Sequence, residues 1–279
     1  VSRDGQHFAA VNDGRPVLRG TVGTRTLRDP FIGLGPDGHF HLLATDGWTS
    51  TSVVYAASAD LITWSEQRLI PVMGAITQAH NAWAPEFFHV AAEDRYYLIW
   101  SSVTSGRAAV NDHDFEHNGQ DHRIWCCTTQ DFRTFSAPRL FFDPGYPVID
   151  ATVHVTNDGG YLMAFKDERG SNDLSTEHKD IHVAVFRKPG GPYEDLVGPV
   201  TPGIVEGPSL YRRDDVWVML FDHYLESRYG AATSAEGRIW TTTEVATPTG
   251  ARHASVLTIP PQHPIRKLPI GRLTQELTV

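Results

Sequence analysis

The chain has 279 residues, 41% hydrophobic and 10% aromatic, enough for one large β domain or two ordinary domains with a sizeable core. Its 24 basic residues face 33 acidic ones, a net charge of −9, which is the reverse of a nucleic-acid binder's balance. No run of roughly 18 or more apolar residues occurs, so neither a transmembrane helix nor a membrane partner is expected.

In chain order, the first element is SRDGQHF, a short strand ending in an aromatic, Phe8. The opening VSRDGQHF does not read as a signal peptide. DPFIGLGPDGHFHLLATD follows, two apolar strands around a turn at Gly35 to Gly38, and then VVYAASADLITWSEQR, a third strand, a turn and Trp64. The plan recurs in APEFFHVAAEDRYYLIWSS with RIWCCTTQDFRTFSAPR, and in DATVHVTNDGGYLMAFKDE with IHVAVFRKPGGPYEDL. It recurs once more in EGPSLYRRDDVWVMLFDHY with YGAATSAEGRIWTTTE. The turns at Ala91 to Asp94, Asn157 to Gly160 and Arg212 to Asp215 carry the Gly, Asp and Asn of hairpins. A fifth start, RHASVLTI, lacks a clear second strand, and the N-terminal element would supply its outer part. Cys126 and Cys127 are adjacent, so in a strand they point to opposite faces and are expected as free thiols.

The starts at Asp29, Ala84, Asp150, Glu206 and His253 recur every roughly 47 to 66 residues, a propeller-like period. No segment carries a helical period. Four strands per unit and five units predict an all-β, five-bladed β-propeller. It spans residues 1–279 as a single domain and is closed by pairing of the N-terminal strand with the last blade. A β-sandwich would not need this repeat.

In a propeller the first strand of each blade lines the central axis, and all first strands start on one face. Asp29, Asp150 and Glu206 should therefore meet at one mouth of the channel. The loops 46–50, 103–121, 167–179 and 223–227 share that face, where binding usually resides. Any one of the acids could be a turn residue or an exposed strand end. Three in one register repel each other unless function or a cation offsets them. Two carboxylates across a cleft suit glycosidic bond cleavage, one donating a proton to the leaving oxygen and the other activating water or attacking the sugar. A third can raise the donor's pKa.

RDPFI, NAWAPE, IDATV, EGPSL and RHASVL, in order and in matching repeat positions, resemble glycoside hydrolase family 43, and the resemblance covers nearly the whole chain. It implies an inverting mechanism with Asp29 as general base, Glu206 as general acid and Asp150 as the residue that tunes and orients Glu206. It further implies a structural calcium ion in the channel near His253, although Ala254 stands where glycine is more usual. Trp83 would form a wall of the sugar subsite. Asn81, Lys166, Arg228 and Arg252 are candidate substrate contacts, against ordinary structural roles for each. His113, His117 and His122 in NDHDFEHNGQDH have no helical spacing and read as a loop rather than a zinc site.

The resulting expectation is an inverting exo-glycosidase that removes terminal α-L-arabinofuranose from plant-type polysaccharides or oligosaccharides. A β-D-xylosidase or exo-galactanase of the same family is the alternative. A retaining fructoside hydrolase, a mannoside phosphorylase and a non-catalytic carbohydrate-binding propeller are the competing classes. No cofactor is required for the chemistry. A monomer is expected, in a secreted or periplasmic rather than cytoplasmic location.

Overall fold

The computed structural model describes residues 1–104, 121–170 and 179–267. Four antiparallel four-stranded sheets account for most of them, each a simple meander in chain order. The first holds β1 (Leu27–Leu34), β2 (Phe40–Asp46), β3 (Val53–Ser58) and β4 (Arg68–Ile70). The second holds β5 (Trp83–Val90), β6 (Arg95–Ser102), β7 (Arg123–Thr129) and β8 (Arg139–Phe142). The third comprises β9 (Val148–Val155), β10 (Tyr161–Asp167), β11 (Ile181–Phe186) and β12 (Tyr193–Val197). The fourth comprises β13 (Glu206–Arg213), β14 (Val216–His223), β15 (Arg228–Ser234) and β16 (Thr241–Thr243). Among the described residues the only helical elements are two short 3₁₀ turns, Asn12–Gly14 and Pro264–Lys267, and no helix is long and apolar enough to cross a membrane.

The innermost strands β1, β5, β9 and β13 lie side by side in that order. Each sheet is thus a blade, and the sheets stack face to face around an axis as a propeller. The second strand of every blade is buried almost throughout, because neighbouring blades cover both its faces. That burial explains the near-continuous apolar runs in these strands. The last strands of the third and fourth blades, by contrast, lie at the rim and are mostly exposed.

The apolar clusters sit between blades. Leu43, Tyr55, Phe87, Leu98 and Trp100 join the first to the second. Phe88, Ile99, Val153, Met163 and Phe165 join the second to the third, and Leu162, Ala164, Leu210 and Met219 join the third to the fourth. Cys126 belongs to one cluster and Cys127 to the next, so the two thiols do face opposite ways and are free. Burial pushes their pKa values up to about 11 and about 12. Trp100, only 1% exposed, anchors the interface of the first two blades. Trp100→Ala is expected to lower stability by about 3–5 kcal/mol, read as a fall in the urea midpoint.

The expectation of five blades is corrected in part. Four blades form sheets among the described residues, whereas the fifth position around the axis is held by an extended segment from residue 252 onward. Ser255 Oγ donates to the carbonyl of Pro30 on β1 at 3.1 Å, and Val256 N donates to Ser209 Oγ on β13 at 2.9 Å. The segment therefore bridges the first and fourth blades and completes the ring. Pro260, Pro261 and Pro264 follow it and cannot donate to a ladder, which accounts for the lack of a second strand among the described residues.

Closure by an N-terminal strand is likewise reduced to a single bridge, His7 with Ala246, and that bridge is parallel. The physical reason is local. The Asp4 carboxylate accepts from the backbone N–H groups of Gln6 and His7, folding the segment into a turn that competes with a ladder. Phe8 still packs against the fourth blade beside Val245, Ala254 and Val256.

Candidate active site

The site is built on one backbone feature that recurs five times. Register shifts interrupt the pairing of β1 between Arg28 and Phe31, of β5 between Trp83 and Glu86, and of β13 between Glu206 and Ser209. β9 has the same interruption opposite Ala164 and Lys166. At each bulge one residue adopts a left-handed conformation: Asp29 (φ 46°), Ala84 (φ 44°), Asp150 (φ 56°) and Gly207 (φ 55°), matched by His253 (φ 40°) in the fifth segment. Such conformations cost a non-glycine residue roughly 1–3 kcal/mol and concentrate at functional sites. Proline follows at positions 30, 85 and 208, where a bulge frees the residue from donating.

The bulge turns its left-handed residue toward the axis. Asp29, Ala84, Asp150, Gly207 and His253 all line the central channel. Gly207 is needed there on two counts, since a Cβ at that position would lie 3.2 Å from the His253 ring. This register also corrects the expectation that three acids occupy equivalent starts. Asp29 and Asp150 are equivalent, but Glu206 stands one residue earlier, in the position of Arg28, Trp83, Ile149 and Arg252. It reaches the mouth from the rim, its side chain 25% exposed, whereas that of Asp29 is 9% exposed.

Each acid has a distinct set of partners. Thr45 Oγ1 donates to Asp29 Oδ2 at 2.8 Å and is itself fixed by Ala84 N at 2.8 Å. The other oxygen of Asp29 lies 3.4 Å from His253 Nδ1. Asp150 Oδ2 accepts from Gly207 N at 3.1 Å, so it holds the backbone next to Glu206. Ser101 Oγ accepts from Asp150 N at 3.0 Å. Burial pushes the Asp150 carboxyl up to about 6, with His253 opposing and Glu206 adding to the rise. Glu206 Oε2 sits 3.3 Å from the buried ammonium of Lys166.

Two further channel groups complete the electrostatics. Glu86, which also lines the channel, is pushed up to about 8 by burial. Its place in NAWAPE was visible in the sequence, but nothing local signalled its desolvation. Burial disfavours charge on His253, yet Asp150, Asp29, Glu206 and Glu86 together outweigh it and raise the imidazole's pKa. Among the described residues no group of three or more His, Cys, Asp or Glu side chains could hold a metal ion. The donor set around His253 does not fit direct ligation of calcium, which takes six to eight oxygens.

The rim is aromatic on one side. Trp83 stacks on His122 with centroids 4.7 Å apart, and its Nε1 donates to the carbonyl of Trp48 at 2.8 Å. Trp48 is 58% exposed and carries the Arg28 guanidinium 3.5 Å above its ring. Sequence reasoning missed Trp48, although it stands in the loop after the second strand, on the site's face. Asn81 is buried beneath this wall, where its Nδ2 lies 2.7 Å from His122 Nε2 and its Oδ1 accepts from Val103 N. On the opposite side, Arg252 Nε donates to Asp222 Oδ2 at 2.8 Å, beside Glu206. Arg228, in contrast, pairs with Glu226 at 2.8 Å on the surface. His113 and His117 lie outside the described residues.

A family model described as a probable glycosyl hydrolase domain, related to family 43, matches residues 1–263. An α-L-arabinofuranosidase of Bifidobacterium longum subsp. longum is 30% identical over 199 residues, which is 63% of this chain and 18% of that protein. The chain thus spans less than a fifth of the length of the curated relative it matches. The fold is similar to that of a thermostable family-43 glycoside hydrolase, with a TM-score of 0.63 and 17% identity over 88% of this chain and 84% of the other. It is also similar to that of an α-L-arabinofuranosidase from Lactobacillus brevis, with a TM-score of 0.59 and 17% identity over 82% and 74%. A GH43_1 enzyme from Xanthomonas citri complexed with xylose gives 0.63 and 14% over 88% and 80%.

Proposed function

The chain belongs to this family of probable glycosyl hydrolase domains related to family 43, and we propose that it is an inverting exo-glycosidase acting on terminal α-L-arabinofuranose. The observation that carries the reading is the unlike setting of two carboxylates around one channel mouth. Asp29 is sunk on the axis and fixed by Thr45 and His253, while Glu206 enters from the rim against Lys166. The name of the Bifidobacterium longum relative supports arabinofuranose as the sugar.

In this mechanism Asp29 is the general base. It takes a proton from a water poised on the far side of the anomeric carbon. Glu206 is the general acid and gives its proton to the glycosidic oxygen as the bond to carbon breaks. The water oxygen forms the new bond, the product sugar is inverted, and both carboxyls are reset by proton exchange with solvent. Asp150 holds Gly207 N and so sets the approach of Glu206. Trp83 and Trp48 supply the aromatic wall for the sugar, as Trp faces commonly do in wet, half-apolar sites.

The test is a panel of nitrophenyl α-L-arabinofuranoside, β-D-xyloside and β-D-galactoside, followed by ¹H NMR of the first-formed product on the best substrate. Turnover of the arabinofuranoside with initial release of the inverted anomer is expected. Preference for the xyloside or galactoside would reassign the sugar, and retention would overturn the roles of Asp29 and Glu206. Sugar binding without turnover on any member of the panel would leave a binding protein instead.

A further inference from the structure

Behind Glu206 lies a buried row of charges that the reaction scheme above does not use. Lys166 Nζ is 3.3 Å from Glu206 Oε2 and 2.8 Å from Glu168 Oε2. Glu168 in turn reaches Lys179 Nζ through Oε1 at 2.7 Å, and the same ammonium is 3.4 Å from the carbonyl of Glu168. The side chain of Lys179 is 0% exposed, and that of Lys166 is 3% exposed. Tyr224 covers Lys166 with its ring 4.7 Å from Nζ. Charges alternate along the row, two carboxylates and two ammonium groups.

We infer that Glu168 is a positioning residue: it is the permanent counterion that keeps the Lys166 ammonium charged and in place while Glu206 gains and loses its proton, with Lys179 neutralising Glu168 from behind. The inference rests on Glu206 being the general acid. A general acid is protonated in one half of its cycle and ionised in the other. If Glu206 were the only partner of Lys166, each protonation would strand a buried ammonium. Glu168 prevents this, because Lys166 always has one carboxylate at 2.8 Å. Burial alone would lower the pKa of Lys166, but Glu168 and then Glu206 outweigh it and hold it above the usual lysine range. Burial would likewise raise Glu168, and Lys166 and Lys179 together hold it low.

Among the described residues, the other groups that face this row belong to four elements. Asp150 comes from β9, and Tyr224 from the turn after β14. Arg252 and His253 come from the fifth segment, and Tyr229 from β15. Each remains in place when Glu168 is changed, so the effect of that change is readable against them.

The experiment compares pH profiles of kcat/KM for the wild type, Glu168→Gln, and the double variant Glu168→Gln with Lys179→Met. In both variants Lys166 has Glu206 as its sole carboxylate neighbour in the row and competes for it in the ionised form. The basic limb is expected to move to lower pH by about one unit or more, since an uncompensated charge within about 4–6 Å acts on that scale. The double variant removes the stranded Lys179 charge along with Glu168, so it keeps the test valid should the single variant fold poorly. A reduced melting temperature with the basic limb unmoved in the double variant would make Glu168 a structural residue and overturn the inference. Loss of Glu206's own role would appear separately, as wild-type rates in Glu206→Gln.

Discussion

Asp29→Asn and Glu206→Gln should each lower kcat on natural oligosaccharides by about 10²–10⁴-fold, the usual worth of a positioned acid or base. The two losses should nevertheless differ in kind. Asn at 29 cannot take a proton from water, and no substrate changes that need, so its deficit should persist whatever the leaving group. Gln at 206 cannot donate to the leaving oxygen. A dinitrophenyl glycoside leaves without protonation, so Glu206→Gln should recover much of its rate on that substrate. Steady-state rates on one natural and one dinitrophenyl substrate check both statements. An equal deficit on both substrates in Glu206→Gln would remove it from the acid role. Neither exchange should disturb the fold, because Asn can still accept from Thr45 Oγ1, and Glu206 stands at the rim.

Asp150→Asn should make the protein more stable at pH 7 while making it a poorer enzyme. The carboxyl of Asp150 is pushed from 3.8 to about 6 by burial, so the folded state holds its proton more tightly than the unfolded state does. Its contribution to stability is therefore full below about pH 4 and is lost as pH rises through about 6. Above that range the buried charge costs on the order of 3 kcal/mol. Asn keeps an oxygen for Gly207 N and carries no charge, so the variant escapes the loss. Melting temperatures of the two proteins should coincide near pH 4 and diverge in favour of the variant by pH 7. Activity should fall and the pH profile should shift, because the neighbour of Glu206 has lost its charge. A variant less stable than wild type at pH 7 would mean that the Asp150 charge is compensated by its surroundings. The pattern is one in which a functional group is kept at the expense of stability.

The repeat and its hairpins were legible because they are local. A turn such as Gly35–Gly38 carries its own chemistry, and alternating or continuous apolar runs follow from one or two covered faces. The offset of Glu206 was not read, although a signal for it existed. Aligning Pro208 with Pro30 and Pro85, rather than aligning acid with acid, puts Gly207 opposite Asp29 and leaves Glu206 beside Arg28. The row from Lys166 to Lys179 had no such signal, since it depends on how the ends of β10 and β11 meet across a connection in the middle of the third blade. Arg228 looked like a site residue from the family resemblance, but it pairs with Glu226, two residues away. The fifth blade failed for a similar reason. The segment after Arg252 has the left-handed residue of the inner strands yet lacks partners to pair with among the described residues, because prolines and an Asp4-centred turn occupy the chain that would have formed them.

The four left-handed bulges and the matching left-handed residue of the fifth segment amount to five similar sockets around a hub. Their backbones agree to within about 16° in φ, from 40° at His253 to 56° at Asp150, while their contents run from Asp to Ala, Asp, Gly and His. Shape and content are thus decoupled. The backbone dictates where a group will be presented, and the side chain alone dictates what is presented. Apart from the Gly207 socket, where a Cβ would lie 3.2 Å from the His253 ring, one socket can be refilled while the others keep their aim, so a wheel of this kind allows new chemistry to arise by single exchanges. Ala84, the one small apolar occupant that still bears a Cβ, is the socket left blank.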